Sequence, residues 1–420
     1  MEISRRGLVT ALGALPLVSS FPGIAAASAT PLRVLDVPKP IALPDRENFT
    51  VDGVDLNAAY THMIGRYAEA AGQQFVRRRM TDPAINWPSP ADNARDRAVG
   101  LYATLINAAP SEIAVVPSTL EGENLIAAAL QLGRGRGVIT DQLHYDASIV
   151  MYGERSRSGM PLTILQPRDW RIDYDELDRA IKPNTRLIAL SLVSSPTGYK
   201  HDLKRVCEIA HAKNVLVYAD VIQAVGAVPF DVKESGVDFC CAGMYKWLMG
   251  EFGAAFLYVR PDRLPDLKRV QLGWRGLKSF EMLQLPFDPP VPFGGSWELG
   301  TDTAGIFEVS TPNWGGLATT VGALEYIHEI GVERIAQHRA PMLDHLQREM
   351  VSAGYELLTP PGFQGPSLVF AKEGVGPSYR NALSRAKIYT TLYKNRVRIA
   401  PSVYNGLSDI DALLAVLTRS

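Results

Sequence analysis

The sequence predicts an α/β protein with a mostly parallel central sheet covered on both faces, followed by a smaller C-terminal α+β domain. Three observations carry this expectation. Short apolar runs alternate with helical patterns from Ile113 to Asp220, and such alternation builds parallel sheets with a helix between successive strands. The runs are nearly continuous in apolar residues, as strands buried on both faces are. From residue 301 onward the strands and helices become shorter and the pattern loosens.

Composition sets the outer bounds. The chain has 420 residues, 46% hydrophobic and 21% charged, an ordinary globular balance with length for two or three domains. A formal net charge of −1 gives no overall basic field to recruit nucleic acid or an anionic membrane. Three cysteines, Cys207, Cys240 and Cys241, make no disulfide framework. The adjacent pair lies in an apolar run, where cysteine serves as a small hydrophobe. No CxxC or HExxH spacing occurs, so no metal site is expected.

Taken in order, residues 1–29 read as an export signal. Arg5-Arg6 precedes an apolar stretch at 8–18, and Ala27-Ser28-Ala29 supplies the small-residue end. The paired arginines resemble a twin-arginine signal, although Leu8 replaces the commoner Phe. An uncleaved anchor is the alternative, but the apolar stretch is short for a bilayer span. The expectation is a mature protein starting near Thr30, delivered by the twin-arginine machinery and working in the periplasm or outside the cell. Domain boundaries are placed at 30–75 for an N-terminal arm and helix, 76–300 for the large domain and 301–420 for the small one.

Residues 30–50 are Pro-rich and lack period. Leu56, Tyr60, Met63, Ile64 and Tyr67 have helical spacing, which predicts a helix over 56–79, broken by Pro83, Pro88 and Pro90. Asp92 looks like the N-cap of a helix to about 107. A short strand at 113–116 is followed by Ser118-Thr119-Leu120-Glu121 and then an apolar helix. Ser118 with Glu121 is a capping box, and free amides at a helix N-terminus attract an anion. A plain cap is the alternative.

The glycines at 133, 135 and 137 follow a helix and precede a strand, the reverse of the dinucleotide-binding order; they read as a turn. Beyond the strand at 138–140, His144 or Tyr145 could stack on an aromatic ring. A helix over 173–181, a strand over 186–192, a hydroxyl-bearing turn at 193–198 and a helix capped by Asp202 complete the alternation.

Residues 215–259 are the centre of the functional argument. An apolar run at 215–219 ends on Asp220, with Gln223 three residues later. A second run at 237–241 leads to Lys246, and a third occupies 254–259. A carboxylate and a lysine beyond neighbouring strand ends lie on the edge where open α/β sheets bind ligands. Burial there drives a lysine toward its neutral, nucleophilic form. A lysine for an aldehyde and an acid for a ring nitrogen together meet what pyridoxal 5'-phosphate requires. Further on, 286–297 reads as Pro/Gly-rich loop, helices are expected from 314 to 330 and on to 353, a strand at 367–371, a helix at 379–386, and a terminal helix from Asp409.

The order of these pieces resembles the class V aminotransferases, fold-type I pyridoxal-phosphate enzymes that include isopenicillin N epimerase-like proteins, selenocysteine lyases, cysteine desulfurases and kynureninases. The likeness runs from about Leu56 to the C-terminus and is most specific in YADVIQAVGAVPFDV and VDFCCAGMYKWLMG. It implies that Lys246 binds the cofactor covalently, Asp220 pairs with the ring nitrogen and Gln223 touches the ring hydroxyl. By the same resemblance Ser118 and Thr119 hold the phosphate, His144 stacks on the ring, and Ser195 falls near the ring hydroxyl. Thr311, in a GTPN-like segment, would reach the phosphate of a neighbouring subunit, implying a homodimer with shared sites. Arg398 matches the arginine for a substrate carboxylate, which its fork suits. The chain departs from many relatives at Gly243, Met244 and Tyr245, where Ser-x-His is common. It also lacks any cysteine after Cys241, which speaks against a persulfide-forming desulfurase. The implied activity is transamination of an amino acid or amino-acid derivative. The alternatives are epimerisation, C–S β-elimination, and a ligand-binding scaffold without catalysis.

Overall fold

The computed structural model describes residues 41–83, 94–283, 286–289, 295–362 and 365–418. The export signal and the Asp92 cap lie outside the described residues. The chain enters through β1 (Val54–Asp55), α1 (Arg66–Thr81) and α2 (Ala94–Leu105). It continues as β2 (Ile113–Val116), α3 (Thr119–Ala129), β3 (Gly137–Asp141), α4 (Asp146–Arg157), β4 (Leu162–Leu165) and α5 (Tyr174–Ala180). Then come β5 (Thr185–Ser191), α6 (Leu203–His211), β6 (Leu216–Asp220), α7 (Val232–Ser235), β7 (Phe239–Gly243) and β8 (Ala255–Val259).

These strands form one sheet in the order β2-β8-β7-β6-β5-β3-β4. Strands β3 to β7 run parallel. β8 is antiparallel to both β7 and β2, the one departure from an all-parallel reading. After β3 the chain steps outward to β4 and then returns to lay β5 on the other side of β3. A crevice opens beyond the carboxyl ends of strands at such a reversal, and ligands bind there. β2, β7 and β8 carry no charged residue, and β3, β5 and β6 are apolar except toward their ends; both faces of the sheet carry buried side chains, packed as two large clusters.

Caps start the helices where the sequence places them. Ser118 accepts from Glu121 N at 3.1 Å, Asp173 from Asp175 N and Glu176 N, and Asp202 from Arg205 N. β7 begins two residues later than the apolar run because Asp238 is spent on anchoring. Its fully buried carboxylate accepts from Val217 N at 2.7 Å and pairs with Arg260, Arg263 and His211.

An antiparallel ribbon, β9 (Leu277–Met282) and β10 (Gly295–Leu299), projects from the large domain; part of what reads as loop is therefore strand. Helices α8 (Thr303–Phe307), α9 (Trp314–Ile330) and α10 (Val332–Ser352) lead into the C-terminal domain. There β11 (Glu356–Leu357), β12 (Leu368–Ala371), α11 (Val375–Arg385), β13 (Ile388–Tyr389), β14 (Thr391–Leu392), β15 (Arg396–Ile399) and α12 (Leu407–Leu417) follow. β11, β12, β15 and β14 make a four-stranded antiparallel sheet backed by α10, α11 and α12.

The stretch 56–65 is not helical. Leu56 N donates to Tyr389 O, Ala400 N to Leu56 O and Ala58 N to Ala400 O, while β1 pairs in parallel with β13. Of the residues with helical spacing only Leu56 is buried, while Tyr60, Met63 and Ile64 are exposed, and the helix starts only at Arg66. This crossing strap carries Asn57 to Tyr60 toward the crevice.

Candidate active site

Asp220 closes β6. Its Oδ1 accepts from Ile222 N at 2.9 Å, and burial pushes its carboxyl up to about 6 against the opposing pull of that bond, of His144 and of Lys246. Lys246 follows β7 in a turn tied by Met249 N to Lys246 O (2.8 Å), Gly250 N to Met244 O (2.9 Å) and His62 N to Tyr245 O (3.0 Å). Gly226 packs against the same turn at φ +85°; a Cβ there would lie 2.3 Å from the Trp247 carbonyl oxygen, so only glycine fits. Burial drives the Lys246 ammonium down to about 8, with Asp220 pulling it up and Arg398 pushing it further down. Its Nζ lies 5.7 Å from the centre of the Tyr245 ring and has no ion-pair partner among the described residues. Two strand ends thus bring the acid and the lysine into one buried site.

His144 and Tyr145 part company in the structure. Tyr145 is largely exposed, whereas His144 is fully buried. One imidazole nitrogen of His144 meets Ser191 Oγ at 2.8 Å and the other Glu123 Oε1 at 3.0 Å. Ser148 Oγ donates to the second Glu123 oxygen at 2.6 Å. Burial alone would lower the imidazole, but the Glu123 carboxylate, with Asp141 and Asp220, raises it above its ordinary value. Glu123 is absent from the sequence reading. Its signal was a lone acid inside the apolar face of α3, two residues beyond the capping Glu121.

The α3 N-terminus faces the crevice. Ser118 Oγ is engaged as the cap. Thr119 Oγ1 accepts from Gly243 N at 2.9 Å, which leaves its own proton for an acceptor. Glu121 N is taken by the Ser118 cap; the Thr119 and Leu120 amides have no partner within the helix, and with the Thr119 proton they could donate to an anion. A Cβ on Gly243 would lie 3.1 Å from Ile222 Cδ1 and 3.2 Å from both Thr119 Oγ1 and Tyr245 Cε1. A side chain at this position would press on all three, and Tyr245 stacks on Phe252 with ring centres 4.9 Å apart.

Gln223 is locked at both ends of its amide: Nε2 donates to Ala59 O at 2.8 Å and Oε1 accepts from Trp247 Nε1 at 2.9 Å. Only the second Nε2 proton remains for a ligand. Arg398, on β15, is buried, with Nη1 on Ser195 Oγ and Nη2 on Thr391 Oγ1 at 3.1 Å. Ser195 therefore places its hydroxyl on the Arg398 guanidinium. Thr391 in turn bonds Asn57; both residues escaped the sequence reading because neither stands in a motif. Arg398 Nε is buried without a partner. Thr311 is exposed and makes no contact with this chain's own crevice in the hydrogen-bond and ring contacts of the described residues.

These residues fit pyridoxal phosphate. An unpaired lysine poised near neutrality suits the aldehyde, a buried carboxylate the ring nitrogen, and free helix amides the phosphate. No helix among the described residues is long and apolar enough to cross a membrane, and no group of three metal-ligating side chains occurs among them.

Comparison with known proteins points the same way. The family model described as Aminotransferase class-V matches residues 76–362. An uncharacterized aminotransferase of Bacillus subtilis is 28% identical over 354 residues, 82% of this chain and 90% of that protein. A probable cysteine desulfurase of Methanothermobacter thermautotrophicus is 25% identical over 260 residues, 62% of this chain and 61% of that protein. Among solved structures, an apo cysteine desulfurase from Thermococcus onnurineus superposes with a TM-score of 0.77 at 19% identity, covering 91% of this chain and 98% of the other. A variant of C-DES with glycine covalently linked to its PLP cofactor superposes with a TM-score of 0.77 at 20% identity, covering 89% and 99%.

Proposed function

Because this chain belongs to the class V aminotransferase family and is a pyridoxal-phosphate-dependent enzyme, we propose that it transaminates an amino acid or a close amino-acid derivative. The observation that carries the reading is the shared burial of Asp220, Lys246 and Arg398, three groups whose charges act on one another across one crevice. When bound, pyridoxal phosphate draws electron density from the substrate's Cα. Asp220 holds a proton at the ring nitrogen. Arg398 takes the substrate carboxylate with its fork, Ser195 and Thr391 fixing the guanidinium plane. Lys246, its ammonium lowered to about 8 by burial, removes the proton from Cα and returns it elsewhere. His144 covers one face of the ring, held by Glu123 and Ser191, and Gln223 offers its free amide proton to the ring hydroxyl. The α3 amides and Thr119 receive the phosphate.

Transamination is preferred over C–S lysis because the Bacillus subtilis relative named an aminotransferase spans 82% of the chain, against 62% for the cysteine desulfurase relative. All three cysteines are buried in the large domain, so none is placed to take up sulfur from the crevice mouth. Epimerisation needs the same residues and differs only in where the Cα proton returns. The decisive experiment offers the holoenzyme a panel of amino acids and measures keto acid, ammonia and sulfide. Keto acid dependent on an acceptor keto acid supports transamination; ammonia or sulfide without an acceptor points to β-elimination. Lys246→Ala abolishes each outcome if the assignment holds, and parental turnover in that variant refutes it.

Two further parts of the reading concern context. The exposed Trp274, Phe287 and Trp297 on and beside the β9–β10 ribbon, together with exposed Thr311, favour a homodimer in which each subunit's Thr311 serves its neighbour's phosphate. Sedimentation gives the mass, and Thr311→Ala should weaken cofactor retention. The Arg5-Arg6 segment supports twin-arginine export to the periplasm. Replacing both arginines with lysine should leave the protein in the cytoplasm.

A further inference from the structure

A second arginine lies buried without an acid, on the far side of the Lys246 turn. Arg339 of α10 is 2% exposed. Its Nη2 donates to the Ala227 carbonyl, and its guanidinium carbon sits 5.1 Å from the centre of the Trp247 ring. Nη1 is buried with no hydrogen-bond partner. Burial pulls this guanidinium down to about 9. Arg95, also well buried, is neutralised by Glu308; Arg339 has no such carboxylate among the described residues. The arginine that shares this condition is Arg398, whose counter-charge under the reading above is the substrate itself. A buried guanidinium that lacks its anion in the free protein is a place where an anion binds.

Arg339 forms part of the wall of a cavity of about 570 Å³ between the large domain and the small one. The cavity is separate from the crevice: none of Asp220, Lys246, His144, Ser195 or Arg398 lines it. Lys200 also lines the cavity, its ammonium lowered by burial against the upward pull of Asp202 and Glu234. Asp344, exposed on the rim, is the one acid among the described lining residues. Val228, Pro229, Leu343 and Pro360 make the rest of the wall largely apolar. Pockets of this volume hold a small ligand, orienting it through few polar groups on an apolar wall.

We propose that this interdomain cavity binds a small monocarboxylate with an apolar body, its carboxylate paired with the Arg339 guanidinium and supported by Lys200. The occupant sits behind the catalytic turn. Arg339 contacts Trp247, which is bonded in sequence to Lys246 and donates to Gln223. Occupancy therefore draws on the same guanidinium that packs against the lysine-bearing turn. The site does not depend on the identity of the reaction at Lys246.

Benzoate is a suitable probe, followed by calorimetry with the full-length holoenzyme. It can also meet Arg398, so the Arg398→Ala protein is titrated alongside. Benzoate binding is expected to persist in Arg398→Ala. In that background, Arg339→Met is expected to weaken it at least tenfold. Arg339→Met removes a buried bond to Ala227 and can unfold the chain, so a second variant is needed. Ala340→Trp, a change at an exposed position on the cavity wall, fills the space while leaving Arg339 in place, and should also weaken benzoate at least tenfold. Inorganic phosphate, which lacks the apolar body, should bind at least tenfold more weakly than benzoate. Loss of benzoate binding in Arg398→Ala alone overturns the proposal, as does unchanged affinity in Ala340→Trp. Either result would leave the active-site reading intact, because that reading is judged by the product panel.

Discussion

Replacing Glu123 with Gln tests the imidazole that covers the cofactor site. The pair is enclosed: the side chains of His144 and Glu123 are 0% and 1% exposed, at 3.0 Å. At an effective dielectric of about 20, two charges at this range attract by roughly 5–6 kcal/mol. The full amount is not at stake, because the imidazole can shed its proton once the carboxylate is gone. With an unperturbed value of about 6.5, that release costs less than about 1 kcal/mol at pH 7. The charge-assisted hydrogen bond adds about 1.5–3 kcal/mol. Gln keeps the shape and can still meet Ser148, so the net loss should be about 1.5–3 kcal/mol at pH 7. The loss also depends on pH in a definite direction. The folded imidazole is raised above its unfolded value, so its stabilisation is complete below about pH 6.5 and fades as pH climbs through the folded value. Thermal melting of parent and Glu123→Gln apoproteins from pH 6 to 9 reads this directly. The gap in melting temperature should be widest at pH 6 and narrow toward pH 9. A constant gap would mean that His144 is neutral throughout and that Glu123 acts only as a hydrogen-bond acceptor.

The uptake of pyridoxal phosphate by apoprotein should accelerate as pH rises through about 8, where Lys246 loses its proton; a midpoint near the ordinary lysine value would show the amine to be solvated. Asp220→Asn removes the carboxylate that pulls Lys246 up, so the same titration should move to lower pH, and a shift upward or none at all contradicts the electrostatic account. Gly243→Ser should cost about 1–3 kcal/mol by overpacking against Ile222, Thr119 and Tyr245, measured as a fall in the melting temperature. An unchanged melt would show that the glycine is not required by the Thr119 contact.

The parts of the site legible in the sequence were those carried by single strand ends. Asp220, Gln223 and Lys246 follow apolar runs, and a buried strand must emerge at the sheet edge, so their location follows from pattern alone. The Ser118 cap is legible for the same reason, since its geometry is local. What escaped depends on partners distant in the chain. Ser195 and Arg398 meet across 203 residues, and nothing local to either announces it. The spacing at 56–65 imitates a helix, yet Tyr60, Met63 and Ile64 are exposed and the backbone there is claimed by Tyr389 and Ala400 of the C-terminal domain. Those partners lie far along the chain, so the local pattern does not announce them. The antiparallel hand of β8 is likewise invisible, since a short turn after Lys246 and a longer crossover leave the same apolar run.

The tuning of the site follows from burial acting with opposite sign on opposite charges. Desolvation is the largest influence on both Asp220 and Lys246, lifting the acid to about 6 and lowering the amine to about 8. Their mutual attraction opposes both shifts but does not cancel them. The protein alone therefore holds each group close to the pH at which it exchanges its proton. A cationic ring nitrogen beside Asp220 would add positive charge next to a carboxylate that burial raises to about 6, and hold it more firmly in its ionised form. An aldehyde carbon would meet a Lys246 amine that is about half free of its proton near pH 8. The same argument explains Arg398. Ser195 and Thr391 are neutral, so they orient the guanidinium without spending its charge, and on the proposed function the carboxylate that completes it is the substrate's. A substitution that placed an acid at either position would satisfy Arg398 internally and should raise KM for an amino-acid substrate far more than it lowers kcat.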